Sequence, residues 1–257
     1  MNIKFKKFLK GIAIILSLIV IVFFSIYTLA WYSFTKRAEA YLNMVWQDKE
    51  NFVITGEQPH FNGYPLVPTA KFSGTFEQVA GVKIDTPEII FTGFPVPHQV
   101  QILDAPQGLK ISSRYLERDL NFDYAYLQFV APRIPSSDKR DDVAAWQKDG
   151  HQMIIQNIIL KSGNIYARGS GTLGLDDDLQ MTADINARVI GMDTLLDTIA
   201  QDKGEKTIAI ARNFLNMMTQ IDPKTGEKYF ETTLKIQKRG LYFGPMRISG
   251  LPELKWK

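Results

Sequence analysis

Between Ile165 and Val189, apolar and polar residues alternate with a period of two on both sides of an acidic turn. The odd positions Ile165, Ala167, Gly169, Gly171, Leu173 and Leu175 are apolar or small, while Tyr166, Arg168, Ser170, Thr172 and Gly174 stand between them. After Asp176-Asp177-Asp178 the odd set resumes as Leu179, Met181, Ala183, Ile185, Ala187 and Val189, against Gln180, Thr182, Asp184, Asn186 and Arg188. Such alternation predicts an antiparallel hairpin with one apolar and one polar face. Each arm spans about 11 residues, roughly twice the usual strand length of ~5–6. An apolar face of that length needs a broad cover.

Shorter strand-like runs precede it, around 52–57, 70–76, 86–91, 99–103, 109–113 and 121–129, and one helical turn is expected at 143–148. A closing hairpin follows at 228–236 and 241–248, turning at Lys238-Arg239-Gly240. Its apolar phase slips by one at Gly244-Pro245, which predicts a bulge or strand break. Two stretches, 192–203 and 206–221, switch to a helical period. In the second, Ile210, Phe214, Met217 and Ile221 fall at i, i+4, i+7 and i+11. The expected fold is mainly β (α+β): a long-stranded, curved antiparallel sheet with two packing helices near 192–221.

Two similar stretches, FNGYPLVP at 61–68 and FTGFPVPH at 91–98, interrupt this pattern. Each reads Phe-x-Gly-aromatic-Pro-aliphatic. Gly63 with Pro65 and Gly93 with Pro95 stop regular structure, so both stretches are read as matching corners between strands.

The amino terminus has a different pattern. MNIKFKKFLK carries four lysines, and the 24 residues 11–34 carry no charge. At ~1.5 Å rise per residue that length exceeds a ~30 Å hydrocarbon core. Tyr27, Trp31 and Tyr32 stand at its far end, before Lys36-Arg37. The apolar run is too long for a cleaved signal peptide, and the small-x-small site Ala38-Glu39-Ala40 lies beyond two charges. The expectation is a basic cytoplasmic tail at 1–10, a transmembrane signal anchor at 11–34, a helical connector at 35–50 and an exported β-rich domain at 51–257. The lysines place the amino terminus inside.

Charge changes the picture little. The net charge of +3 comes from the four lysines of residues 1–35, leaving 26 bases and 27 acids in the rest. A near-neutral body lacks the basic footprint of a nucleic-acid binder. The absence of cysteine excludes disulfides, thiolate metal sites and a cysteine nucleophile.

Candidate chemistry is sparse. Gly169-Ser-Gly171-Thr-Leu-Gly174, with Asp193 downstream, spells a dinucleotide fingerprint, but that motif needs a strand, a turn and then a helix. Here alternation runs through the glycines into a second strand. The Asp176–Asp178 run lacks the spacing of a calcium loop. His60, His98 and His151 stand far apart, Asp141-Asp142 sit in a polar loop, and no nucleophile motif stands out. No catalytic, cofactor or metal residue is assigned.

The GYPL corner, the GTLGLDDDLQ hairpin, the GMDTLLDTIA segment and the closing GLYFGPMRISGLPEL together resemble a proteobacterial family, domain of unknown function 2125. The hairpin resembles, more loosely, AsmA-like envelope proteins. These resemblances imply a bacterial inner-membrane protein, single-pass, with its carboxy-terminal domain in the periplasm. The expected role is non-enzymatic: binding a lipid, acyl chain or other hydrophobic ligand, or acting as an envelope-maintenance scaffold. The alternative is an accessory subunit that docks an envelope protein partner. The lining expected for a ligand is Ile165, Leu173, Met181 and Ile185, with Ile210, Phe214 and Met217.

Overall fold

The computed structural model describes residues 3–47, 49, 52–78, 81–94, 98–113, 119–133, 135, 137, 139–191, 193, 212, 219–251 and 253–256, the side chains before Val20 lying outside that description. Helix α1 (Ile3–Gln47) leads into β1 (Phe52–Gly56), β2 (Thr69–Gln78), β3 (Val82–Thr92), β4 (Val100–Ala105), β5 (Leu109–Ser113), β6 (Leu120–Phe122) and β7 (Tyr124–Val130). Helix α2 (Arg140–Lys148) precedes β8 (Met153–Ser162), β9 (Ile165–Leu175) and β10 (Met181–Ile190). Strands β11 (Thr219–Ile221), β12 (Lys228–Gln237), β13 (Gly240–Phe243) and β14 (Met246–Gly250) complete the described elements.

All 14 strands join one curved antiparallel sheet, whose main path runs β1-β2-β3-β4-β7-β8-β9-β10-β12-β13-β14. Most neighbours in space are also neighbours in sequence, as short connections favour. The predicted hairpin holds residue by residue: Leu175 faces Met181, Gly171 faces Ile185 and Ala167 faces Val189. Its turn is set by Asp176, whose Oδ1 accepts hydrogen bonds from the backbone N–H groups of Asp178 (3.0 Å) and Gln180 (2.8 Å). The acidic run is therefore a side-chain-capped turn.

Several expectations need correction. The run 121–129 is two strands, because Asp123 breaks the pattern and its carboxylate accepts from Gly163 N–H at 2.6 Å. The helical turn at 143–148 is a nine-residue helix with Val143 fully buried; acids at its start and Lys148 at its end complement the helix dipole. At Gly244-Pro245 the expectation of a bulge or strand break resolves as a break: the chain reverses there, and β14 pairs back onto β13. The segment 192–203 lies outside the described residues apart from Asp193, as do Ile210, Phe214 and Met217. The helix expected to reach 221 does not, because Thr219–Ile221 form β11 on β12.

The membrane-spanning part of the amino-terminal expectation is not shown. Among the described residues no helix is long and apolar enough to cross a membrane. The uncharged run is part of one 45-residue helix, and its polar and aromatic residues engage the domain. Tyr27 Oη and Trp31 Nε1 both donate to the Leu66 carbonyl at 3.0 Å, and the Thr28 and Tyr64 hydroxyls lie 2.7 Å apart. Trp31 and Thr35 are buried. Val20, Ile21, Val22, Phe23, Phe24, Ile26 and Leu29 remain exposed.

The described parts of the two corners pack on each other. Phe61 meets Phe91 edge-on at 5.8 Å, and Gly93 N–H donates to the Pro68 carbonyl at 3.0 Å. Tyr64 and Phe94, equivalent in the two motifs, both turn toward α1. Tyr64 touches Phe24, Trp31 and Tyr32, while Phe94 touches Tyr27 and Phe34. Gly63 has φ +102, and a Cβ there would sit 2.6 Å from the Val67 carbonyl oxygen. Pro65 follows the cis Tyr64–Pro65 bond. Pro95 lies outside the described residues.

Gly171 is required by a close approach of strands. An added Cβ would meet the Asp184 carbonyl oxygen at 2.0 Å and Ile185 Cα at 2.7 Å, both backbone. At Gly174 the nearest contact is the Gln152 Cβ, at 3.3 Å. Gly171→Val should therefore destabilise the domain by roughly 1–3 kcal/mol, as overpacking does. Gly174→Ala should cost clearly less. Thermal unfolding followed by circular dichroism checks both, and equal midpoints for the two variants would refute this account of Gly171.

Candidate functional site

The sheet presents two surfaces across β8, β9, β10 and β12. On one, register aligns four apolar rows: Met153–Leu173–Ala183–Ile236, Ile155–Gly171–Ile185–Leu234, Ile158–Gly169–Ala187–Thr232 and Leu160–Ala167–Val189–Phe230. Ile155, Ala183, Val189 and Phe230 are buried, whereas Leu173 and Ile185 are half-buried and Met181 is 38% exposed. The two central rows carry glycine on β9, so that strand is bare between the isoleucines of β8 and Ile185. The expected lining residues Ile165, Leu173, Met181 and Ile185 share this face. They are not one cluster: Ile165 and Leu173 stand eight residues apart on one strand, about 27 Å at ~3.4 Å per residue.

The opposite surface was missed in the sequence. There Arg168 of β9 faces Arg188 of β10 directly, and Arg188 in turn faces Glu231 of β12. A shallow groove of ≈ 540 Å³ is lined here by Gln156, Arg168, Ser170, Asn186, Arg188, Glu231 and Thr233 among others. Arg188 is fixed twice, by Asp222 Oδ2 at 2.6 Å and by the Tyr229 ring, 3.6 Å below its guanidinium. Arg168 makes no ion pair among the described residues and is exposed. Like charges opposite one another in a sheet repel, and here Asp222 offsets the charge of Arg188. The signal was available: residues pair across the turn at a constant sum, which puts 168 opposite 188.

The charges around Arg188 shift in consistent directions. The backbone N–H of Lys224 and then the Arg188 guanidinium hold the Asp222 carboxyl below its usual value, and Asp222 raises Arg188. Farther along the same face, burial and the neighbouring Asp104 push the Tyr124 hydroxyl up. Lys161 stands over both Tyr124 and Tyr166. At the other end of the sheet, the Thr75 hydroxyl holds Asp85 below its usual value.

The structure places the glycine and histidine features that the sequence raised. Gly169, Gly171 and Gly174 lie within one strand. Among the described residues no cluster of His, Asp and Glu could hold a metal ion. His60 is 3.9 Å from Glu39, His98 sits at a corner with φ 63, and His151 lies against the Trp146 ring.

A family model described as an uncharacterized protein conserved in bacteria, DUF2125, matches residues 103–252, from within β4 to beyond β14. The chain belongs to this DUF2125 family. The hairpin, the 191–200 segment and the closing strands fall inside the DUF2125 match, whereas α1 and the GYPL corner precede it. No curated protein and no solved structure matches, so the looser likeness to AsmA-like proteins is not shown.

The Asp222–Arg188 contact gives a testable pH dependence. A carboxyl whose folded value is depressed stabilises the fold above its unfolded value near 3.9, and this contribution is lost as pH falls through the folded value. Asp222→Asn should therefore lower the thermal midpoint at pH 7. The gap to the parent should close as pH drops below the ordinary carboxylate range. A gap independent of pH would refute the charge assignment.

Proposed function

We propose that this protein is a non-enzymatic component of the bacterial cell envelope, anchored in the inner membrane by α1, with its β-domain in the periplasm. There the apolar face of β8, β9, β10 and β12 holds a lipid, acyl chain or similar hydrophobic ligand. The observation that carries the reading is the half-open state of that face, with Leu173 and Ile185 half-buried and Met181 exposed. Isolated apolar residues on a surface are ordinary, but here they continue the apolar rows of β8, β9, β10 and β12. Support for anchoring comes from the apolar residues of α1 that stay exposed between Val20 and Leu29, and from the lysines that precede them.

A protein-docking role as an accessory subunit is the second reading. It is favoured by the open path of the sheet, which ends at β1 and β14. Edge strands offer unpaired backbone groups to a partner strand.

The test uses the full chain in vesicles containing a fatty acid with a photoreactive diazirine on its acyl tail. Crosslinks should map by peptide mass spectrometry to 153–189 as well as to α1. Labelling confined to α1 would remove the ligand reading, and release of the protein from membranes by alkaline carbonate would remove the anchor. Near-stoichiometric crosslinking to one protein in cells, without acyl labelling of the sheet, would favour the second reading.

A further inference from the structure

The corner at 61–68 is built like a second membrane contact. It carries no charged residue and presents Leu66 at 74% exposure, Val67 at 45% and Tyr64 at 37%. Apolar side chains this open at the tip of a loop are costly in water, at ~25 cal/mol for each Å² left uncovered. They are not scattered, because the corner is locked against the exposed apolar part of α1. Tyr27 and Trp31 both hold the Leu66 carbonyl, and Tyr64 reaches Thr28 and meets Phe24 edge-on.

That contact also sets a height. The first charges of α1 after its apolar run are Lys36-Arg37, and Trp31 is five residues before them. At ~1.5 Å rise per residue the corner is gripped about 8–13 Å below those charges, on the apolar side. Aromatic residues such as Tyr27, Trp31 and Tyr32 favour that interfacial depth.

Part of the corner's backbone is paired within the protein, which lowers the cost of a low-dielectric setting. The Leu66 carbonyl accepts two hydrogen bonds, Gly63 O accepts from Leu66 N–H at 2.6 Å, and Pro68 O accepts from Gly93 N–H. Asn62 and Thr69 exchange both of their backbone bonds, and Pro65 and Pro68 have no N–H to satisfy.

We infer that Tyr64, Leu66 and Val67 dip into the lipid headgroup–acyl boundary beside α1, so that the domain touches the bilayer at two points and is held at a fixed tilt. The inference rests on the anchor reading above and adds a contact to it. Its occupant is the lipid surface.

The chain has no cysteine, so one introduced residue takes a nitroxide label without background. Three full-length variants, Phe23→Cys, Leu66→Cys and Leu120→Cys, are labelled and placed in phosphatidylcholine–phosphatidylglycerol vesicles. All three positions are exposed, at 72%, 74% and 43%, so none needs a core to rearrange. The readout is relaxation by oxygen, which concentrates in lipid, against relaxation by a water-soluble nickel chelate. The oxygen-to-chelate ratio at residue 66 should stand several-fold above that at residue 120 and approach that at residue 23. If residue 23 reads as lipid while 66 matches 120, the corner contact is wrong and the anchor survives. If residue 23 reads as water, both fall.

Discussion

Every described strand from Phe52 to Gly250 finds its hydrogen-bonding partners in the same sheet, so the alternation of each strand is projected onto two shared faces. This is the constraint on which the rest depends. A slip of one residue in any pair would exchange the faces of everything beyond it. Register is therefore pinned locally, by the Asp176 carboxylate at the β9–β10 turn and by the irregularities at Phe72/Gly74, Gln128/Phe129 and Ile155/Ile158. The close approach of Gly171 to Asp184 belongs to the same set of restraints. A sheet that bends there lets β9 and β10 come together more tightly than side chains on both would permit.

The second organising contact joins this sheet to the helix. Two copies of one corner motif lie back to back, and each spends its glycine on the turn and its aromatic ring on α1. Phe61 and Phe91 seal the pair, while Tyr64 and Phe94 reach outward to neighbouring parts of the helix surface. Helix α1 continues the contact toward the sheet, with Glu39 accepting from Phe61 N–H and Trp46 against Phe72. The helix and the sheet are therefore joined through side chains from Phe24 to Trp46, and not through the connecting loop alone.

Much of this was legible in sequence where a local rule governs. The 165–189 hairpin follows from period-two alternation, because each residue's face is fixed by its neighbours. The corners follow from Gly and Pro at fixed offsets. What escaped depends on distant partners. The slip at Gly244-Pro245 leaves bulge and strand break open, because a two-residue reversal and a bulge leave the same trace in hydropathy; only the pairing of β14 on β13 decides for the break. The helix period was extended through Ile221, yet Thr219–Ile221 pair with β12, and tertiary pairing overrode the local pattern. Arg168 and Arg188 each look like an ordinary polar-face residue, and only the register brings them together. In the amino-terminal run, hydropathy counts Tyr27, Trp31 and Thr28 as features of a span, whereas their polar atoms answer those of a corner about forty residues away.

Helix α1 has mechanical consequences of its own. From Ile12 to Gln47 it holds neither glycine nor proline, and its 45 residues at ~1.5 Å rise make a rod of about 68 Å. Bends in helices come from such residues or from inserted groups. The rod is clamped against the domain along its stretch from Phe24 to Trp46. A tilt of the helix is then delivered to the sheet as rotation of the whole domain.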